Sequence, residues 1–377
     1  MSRLDRRGST GTNTCALDPA ASGRIYNKIV AGIHETSPSP HGIEAPVVAD
    51  ATRFRSHRAM GTGFVVCLST PSDEQAQGCF DAACEEIDRL DLTFSRFRPS
   101  SELSRLNRHA AEGPVVTDPE VFQLLAAALD IGEKTGGAFD ITVGRLTRAW
   151  GFDGPRPGIP EAHELAAAKE QVGWRNVELD PAWRTVRFTR PGLELDLGAI
   201  AKGYAVDRVI EMLRSVGVSA LIDAGSSSIA ATGEAFGSGW SVSIPSPVDR
   251  ALPVCEVELG NRALSTSGVR ERSFVHQGTV YSHLLDPRGI DPHDPPPAAA
   301  AGPQLLQVTL LAPSSMLADA LSTAMFVLGH ERGSAALAQF PDCSALWIYS
   351  DARGIACRGH RWPGDELSCN RGTHGQT

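Results

Sequence analysis

The chain has 377 residues, 42% of them apolar, enough to bury a sizeable core in one large domain or two smaller ones. Its 35 basic and 44 acidic residues give a net charge of -9 with no dense Lys/Arg cluster, so the electrostatic footprint of a nucleic-acid binder is missing. No apolar run is long enough to span a membrane and residues 1–50 lack the apolar core of a secretory signal, so the chain as written reads as soluble and cytoplasmic.

Residues 1–50 are rich in Ser, Thr, Gly, Pro and Ala without apolar periodicity, which predicts a flexible extension outside the fold. GTGFVVCLS (61–69) predicts a strand, and Phe80, Ala83, Cys84, Ile87 and Leu90 then follow helical spacing. Asp118-Pro119 is a helix start, with Val121, Leu124, Leu125, Ala128 and Leu129 on one face and Gly136-Gly137 as the stop. VELD and TVRF around Asp180-Pro181 predict a hairpin, and LELDL (193–197) a strand running into a helix over about 199–216 that Gly217 ends. The strand SALIDA follows, then a stretch of low regularity, YSHLLDP, and a loop with Pro287, Pro292, Pro295, Pro296 and Pro297. Strand LLQVTLLA, a helix from about Ser315 and strand ALWIYS complete the pattern, with residues 363–377 a loose tail. Strands occur both in hairpins and beside helices, which predicts an α+β fold with mixed or antiparallel sheets, and residues 51–362 read as one compact unit.

Several segments have the residue types of a phosphate-handling site. In LADALSTAMFVLG, Asp319 and Thr323 fall four apart on one helix face, where a carboxylate and a hydroxyl can share one hard cation; a capping Asp beside a packed Thr fits the same spacing. LELDLGAIAKGYAVD carries Asp196 at a strand end and Lys202 in a first helical turn, where phosphate is favoured, although an N-cap and a solvated lysine read equally well. The run Gly136, Gly137, Ala138, Phe139, Asp140 brings backbone N–H groups close to a ligand or simply caps a helix, and DAGSSSIAATG (223–233) is a candidate phosphate nest. His283 sits directly after a strand among turn residues, where an imidazole can deprotonate a hydroxyl, yet most single histidines are structural. The eight cysteines show no CxxC spacing and read as packing or idle thiols. With no GxSxG, HExxH, Walker loop or GxGxxG after a strand, the commonest hydrolase, zincin, NTPase and Rossmann readings fall away.

Taken in order, AMGTGF, FSRFRPSSELSRLN, GGAFDITVG with its WGF, LDLGAIAKGYAVD, the Gly/Ser loop after LIDA, STSG, SHLLDP and ADALSTAMFVLG resemble the ApbE family of FAD:protein FMN transferases, from Met60 to about Gly329. The resemblance implies an ApbE-like catalytic domain that passes FMN from FAD to a Thr or Ser hydroxyl of an acceptor protein, with AMP leaving. It implies a metal, magnesium with calcium or manganese as alternatives, at the Ala199 carbonyl, Asp319 and Thr323, with Ser322 close by. It places Met60, Phe97, Ala138, Phe139, Asp140, Asp196, Lys202 and Leu285 at the FAD site and makes His283 the base. Many family members are exported lipoproteins, which gives a membrane-attached or periplasmic location as the alternative to the cytoplasm.

Three positions depart from the family pattern: Phe97 stands for a tyrosine, Gly225-Ser226-Ser227 for two glycines and Asn or Asp, and Arg288-Gly289-Ile290-Asp291 for Thr-Gly after DPR. Two other functions stay in play: a metal-dependent FAD pyrophosphatase giving FMN and AMP, using the same site with water as acceptor, and, from the altered loops at Ser226 and Arg288, an FAD-binding protein without turnover.

Overall fold

The computed structural model describes residues 52–235, 239–249, 252–289, 303–351 and 354–363. The expected N-terminal extension, Pro292, Pro295, Pro296 and Pro297, and the tail from residue 364 lie outside the described residues.

In chain order, the hairpin β1 (Thr52–Ala59) and β2 (Thr62–Ser69) is followed by α1 (Asp73–Phe94), α2 (Glu102–His109), β3 (Val115–Val116) and α3 (Pro119–Lys134). Next come α4 (Gly144–Ala149), α5 (Ala162–Glu170), the hairpin β4 (Val177–Asp180) with β5 (Thr185–Phe188), and α6 (Ala201–Ser215). Six strands then run in succession: β6 (Ser219–Ala224), β7 (Ser228–Thr232), β8 (Trp240–Pro245), β9 (Pro253–Leu259), β10 (Ala263–Gly268) and β11 (Ser273–His276). The rest is β12 (Thr279–Ser282), β13 (Gln304–Ala312), α7 (Ser315–Ala336), β14 (Ser344–Asp351) and β15 (Gly354–His360).

Eight strands form one sheet in the order β1-β2-β6-β7-β10-β13-β14-β15, every neighbouring pair antiparallel. This is the expected α+β class with flanking helices. β2, β6 and β14 carry apolar residues on both faces because both faces are covered. Phe64, Val66 and Leu68 of β2 join the main core with α1, α3, α6 and α7, while Val65 and Cys67 face a second core roofed by β8 and β9. Trp347 of β14 lies in the first core and Leu346 and Ile348 in the second, the period-2 alternation of a strand. A third cluster, Leu146, Trp150, Phe152, Leu165 and Ala168, meets Phe274, Tyr281 and Leu285 beside the β11–β12 hairpin.

Three expectations need correction. Residues 193–197 are not a strand: they make one isolated parallel bridge, Val143 to Glu194, and Asp196 N–H donates to the Ile141 carbonyl at 2.7 Å. In place of a neighbouring strand, Asn107 brackets Leu195, donating to its carbonyl at 3.0 Å and accepting from its N–H at 2.8 Å. The stretch of low regularity after SALIDA holds β7 to β11; in β7 and β10 the Ser, Thr and Ala carry little apolar signal, whereas Trp240, Val242 and Ile244 of β8 do alternate. Of these, β7 and β10 lie at the sheet centre, where small side chains let helices approach. Cys357 takes part in a disulfide and is not idle.

Candidate active site

Met60 and Gly61, both at positive φ (49° and 73°), make the two-residue turn joining β1 to β2. That geometry favours the primed turns of tight hairpins, and Met60 N–H is fixed by the Asp91 carboxylate at 3.1 Å. Across the sheet end, Gly225 (φ 68°) and Ser226 (φ 56°) turn β6 into β7, with Ser226 N–H on Asp223 at 2.7 Å. These turns open onto a cavity of about 490 Å³. Its wall includes Met60, Phe97, Ala138, Phe139, Asp140, Asp196, Ala199, Lys202, His283, Leu285, Asp319 and Thr323. Residues spread over more than 260 positions of sequence are therefore brought to one surface. Ser322 is the exception: fully buried, it donates to the Asp319 carbonyl at 2.9 Å and bonds Ser267 at 2.8 Å, behind the wall.

Asp319 is a wall residue and not the cap of its helix. Ser314 caps α7 by accepting from Leu317 N–H at 3.2 Å, and Asp207 of α6 accepts from Ser315 N–H at 2.6 Å and Met316 N–H at 2.8 Å. Burial, outweighing those two bonds, pushes the Asp207 carboxyl up to about 6. Asp319 itself accepts from Gly203 N–H at 3.1 Å, Lys202 Nζ at 3.4 Å and Ser265 Oγ at 3.3 Å. The close approach depends on Gly203, since a Cβ there would stand 2.3 Å from the Ser315 carbonyl oxygen. Thr323, one turn on, is 3.4 Å from Ser267 Oγ.

Asp140 and Asp196 act on backbone as much as on the cavity. Asp140 accepts from Thr142 N–H (2.8 Å) and Oγ1 (2.6 Å) and from Trp174 N–H (2.9 Å), and burial raises its pKa. Asp196 accepts from Gly198 N–H at 2.9 Å, shaping the turn before α6, while Arg96 Nε lies 3.3 Å from its other oxygen.

His283 follows β12. Its Nδ1 lies 3.2 Å from the Arg272 carbonyl, an acceptor only, so Nδ1 carries the proton and Nε2 keeps its lone pair. Burial, reinforced by the Lys202 and Arg272 charges, lowers its pKa to about 4. The side chain keeps about a quarter of its surface, and Glu271 is 3.9 Å from Nε2. Among the described residues no group of three or more His, Cys, Asp or Glu is placed to hold a metal. The donors at Asp319 are hard oxygens with one negative charge, a set that suits a cation whose remaining ligands come from substrate phosphate. A second cavity, about 500 Å³ and lined by Tyr204, Asp207, Arg208, Arg262 and Ser314, contains none of the candidate residues.

The ApbE family model matches residues 60–347, which span both turns, the cavity and α7. The chain belongs to the ApbE family. A FAD:protein FMN transferase of Treponema pallidum is 35% identical over 299 residues, covering 74% of this chain and 80% of the relative. Among solved structures, the ApbE protein of Thermotoga maritima superposes with a TM-score of 0.72 at 30% identity, covering 82% of this chain and 97% of that one. The apo flavinyl transferase ApbE of Pseudomonas stutzeri gives 0.69 at 29% identity, with 84% and 97% covered. The ApbE fold thus carries the departures noted in the sequence, and it also shows groups that motif reading missed. Asn107, Arg96, Ser265 and Ser267 surround the candidate residues; all four lie inside FSRFRPSSELSRLN and STSG, but motif order alone gave them no role.

Proposed function

We propose that this protein transfers the FMN half of FAD to a Thr or Ser hydroxyl of an acceptor protein and releases AMP. One observation carries the reading: His283, Lys202, Asp319 and Thr323 share one cavity wall with the exposed ring of Phe97. A bond forms between the acceptor oxygen and the FMN phosphorus, and the bond from that phosphorus to the AMP phosphate oxygen breaks. His283 Nε2 takes the hydroxyl proton, and the Arg272 carbonyl holds the tautomer that permits this. Lys202, 3.4 Å from Asp319, brings a positive charge to the pyrophosphate, and the Asp140 and Asp196 turns fix the backbone around it. A magnesium-class cation, with calcium or manganese as alternatives, would be held by Asp319, Thr323 and the Ala199 carbonyl, and supplies charge neutralisation when bound. Positioning and charge account for most of the acceleration in such a transfer, and a base adds about 10²- to 10⁴-fold.

Incubation with FAD, magnesium and an acceptor domain bearing a Thr is expected to yield a fluorescent flavin band on a denaturing gel and one AMP per label. AMP without label identifies a pyrophosphatase instead. Bound FAD with neither product identifies a binding protein.

A further inference from the structure

We infer that Arg96 is a positioning residue for FAD, holding the Phe97 ring as a platform on which a planar ring of FAD stacks. The inference rests on the FAD reading above and concerns a residue outside the expected site.

The Arg96 side chain is only 8% exposed, and a buried guanidinium is costly unless it is well paired. Its partners are loose. Asp196 lies 3.3 Å from Nε, and Asp153 and Glu194 lie 3.6 and 3.7 Å from Nη1. Among the described residues none of these is a hydrogen bond, and Nη1 is a buried donor without one. The same carboxylates have other partners. Arg148 reaches Glu194 at 2.6 Å and Asp153 at 3.4 Å, Arg145 reaches Glu194 at 3.3 Å, and Gly198 N–H binds Asp196. Among the described residues Arg96 is the one cation within 4.0 Å of Asp196, so these carboxylates fix where the guanidinium sits and leave its flat face free.

What Arg96 does make is a stack: its guanidinium carbon is 4.5 Å from the centroid of Phe97. Phe97 is 68% exposed and lines the cavity, and among the described residues Arg96 is the one aromatic or cationic contact on its ring. Phe97 has no hydroxyl to anchor it, so the cation is what holds the ring. A cation on one face leaves the other for a flat ligand, and a ring already held costs less entropy to bind against.

The test is FAD affinity, read by flavin fluorescence without acceptor, in a double-mutant cycle of Arg96→Gln and Phe97→Ala. Losing the advance ordering of one side chain corresponds to a weakening of about 2- to 13-fold on Arg96→Gln, and less than about 2-fold when Phe97 is already Ala. In transfer assays Arg96→Gln raises the KM for FAD and leaves kcat at saturation close to wild type. Equal effects in both backgrounds, or no effect, overturn the inference. If Arg96→Gln does not fold, Phe97→Leu decides: unchanged FAD affinity in that variant overturns the platform. Binding is measured without transfer, so FAD affinity that follows the cycle without acceptor labelling refutes the transferase reading alone.

Discussion

The backbone N–H of Gly203 donates to the Asp319 carboxylate at 3.1 Å, across 116 positions of chain. This contact fixes a wall carboxylate against the first turn of α6, and the same carboxylate accepts from Ser265 below it. Asp319 is thereby held in one orientation before any ligand arrives.

Replacing Asp319 by Ala is expected to abolish transfer and the thermal stabilisation that magnesium and FAD together give the wild type. The change also leaves a buried Gly203 N–H unsatisfied, worth about 1–3 kcal/mol of stability. Chelation of the wild type is expected to stop labelling reversibly. Full labelling by Asp319→Ala with magnesium and FAD would count against the assignment.

His283→Ala is expected to slow labelling by about 10²- to 10⁴-fold while FAD affinity changes little. With the free-enzyme pKa lowered to about 4, the base is neutral and competent through the neutral range, and kcat/KM falls as pH drops through about 4. The pyrophosphate anion favours the imidazolium, so the inflection in kcat lies at higher pH than that in kcat/KM. Coincident inflections would show that His283 does not face the pyrophosphate.

Gly203→Ala places a Cβ against the Ser315 carbonyl oxygen, so α6 and α7 must part or strain. We expect a loss of about 1–3 kcal/mol in stability, together with weaker metal-dependent stabilisation because Asp319 moves with α7. A denaturant melt and a magnesium titration in the presence of FAD read the two effects. Wild-type values in both would refute the close contact.

Asp207 predicts a pH dependence of stability. Its folded pKa of about 6 lies above the unfolded value, so its contribution is full below the unfolded pKa and is lost as pH rises through about 6. The melting temperature of wild type relative to Asp207→Asn is therefore expected to fall between about pH 4 and pH 6. A difference that rises over that interval would reverse the assignment.

The amino-acid sequence by itself determined the features encoded within a turn or two of chain. Asp118-Pro119 starts α3, Asp319 and Thr323 share a helix face, and the hairpin at Asp180 follows from its turn residues. Ordered motifs also pointed to the family and to twelve of the residues on the cavity wall. Tertiary structure decided what spacing does not encode. The segment at 193–197 looked like a strand because its composition is that of one, but a strand needs a backbone partner, and here Asn107 supplies a side-chain amide instead. β7 and β10 were hidden because their small residues serve helices packed above them. Asp319 left open a choice between cap and ligand wall, and the choice fell to Ser314 and Asp207, which already satisfy the helix N-terminus. A buried donor accepts whichever partner the sheet order brings within reach, and that order is a property of the folded chain.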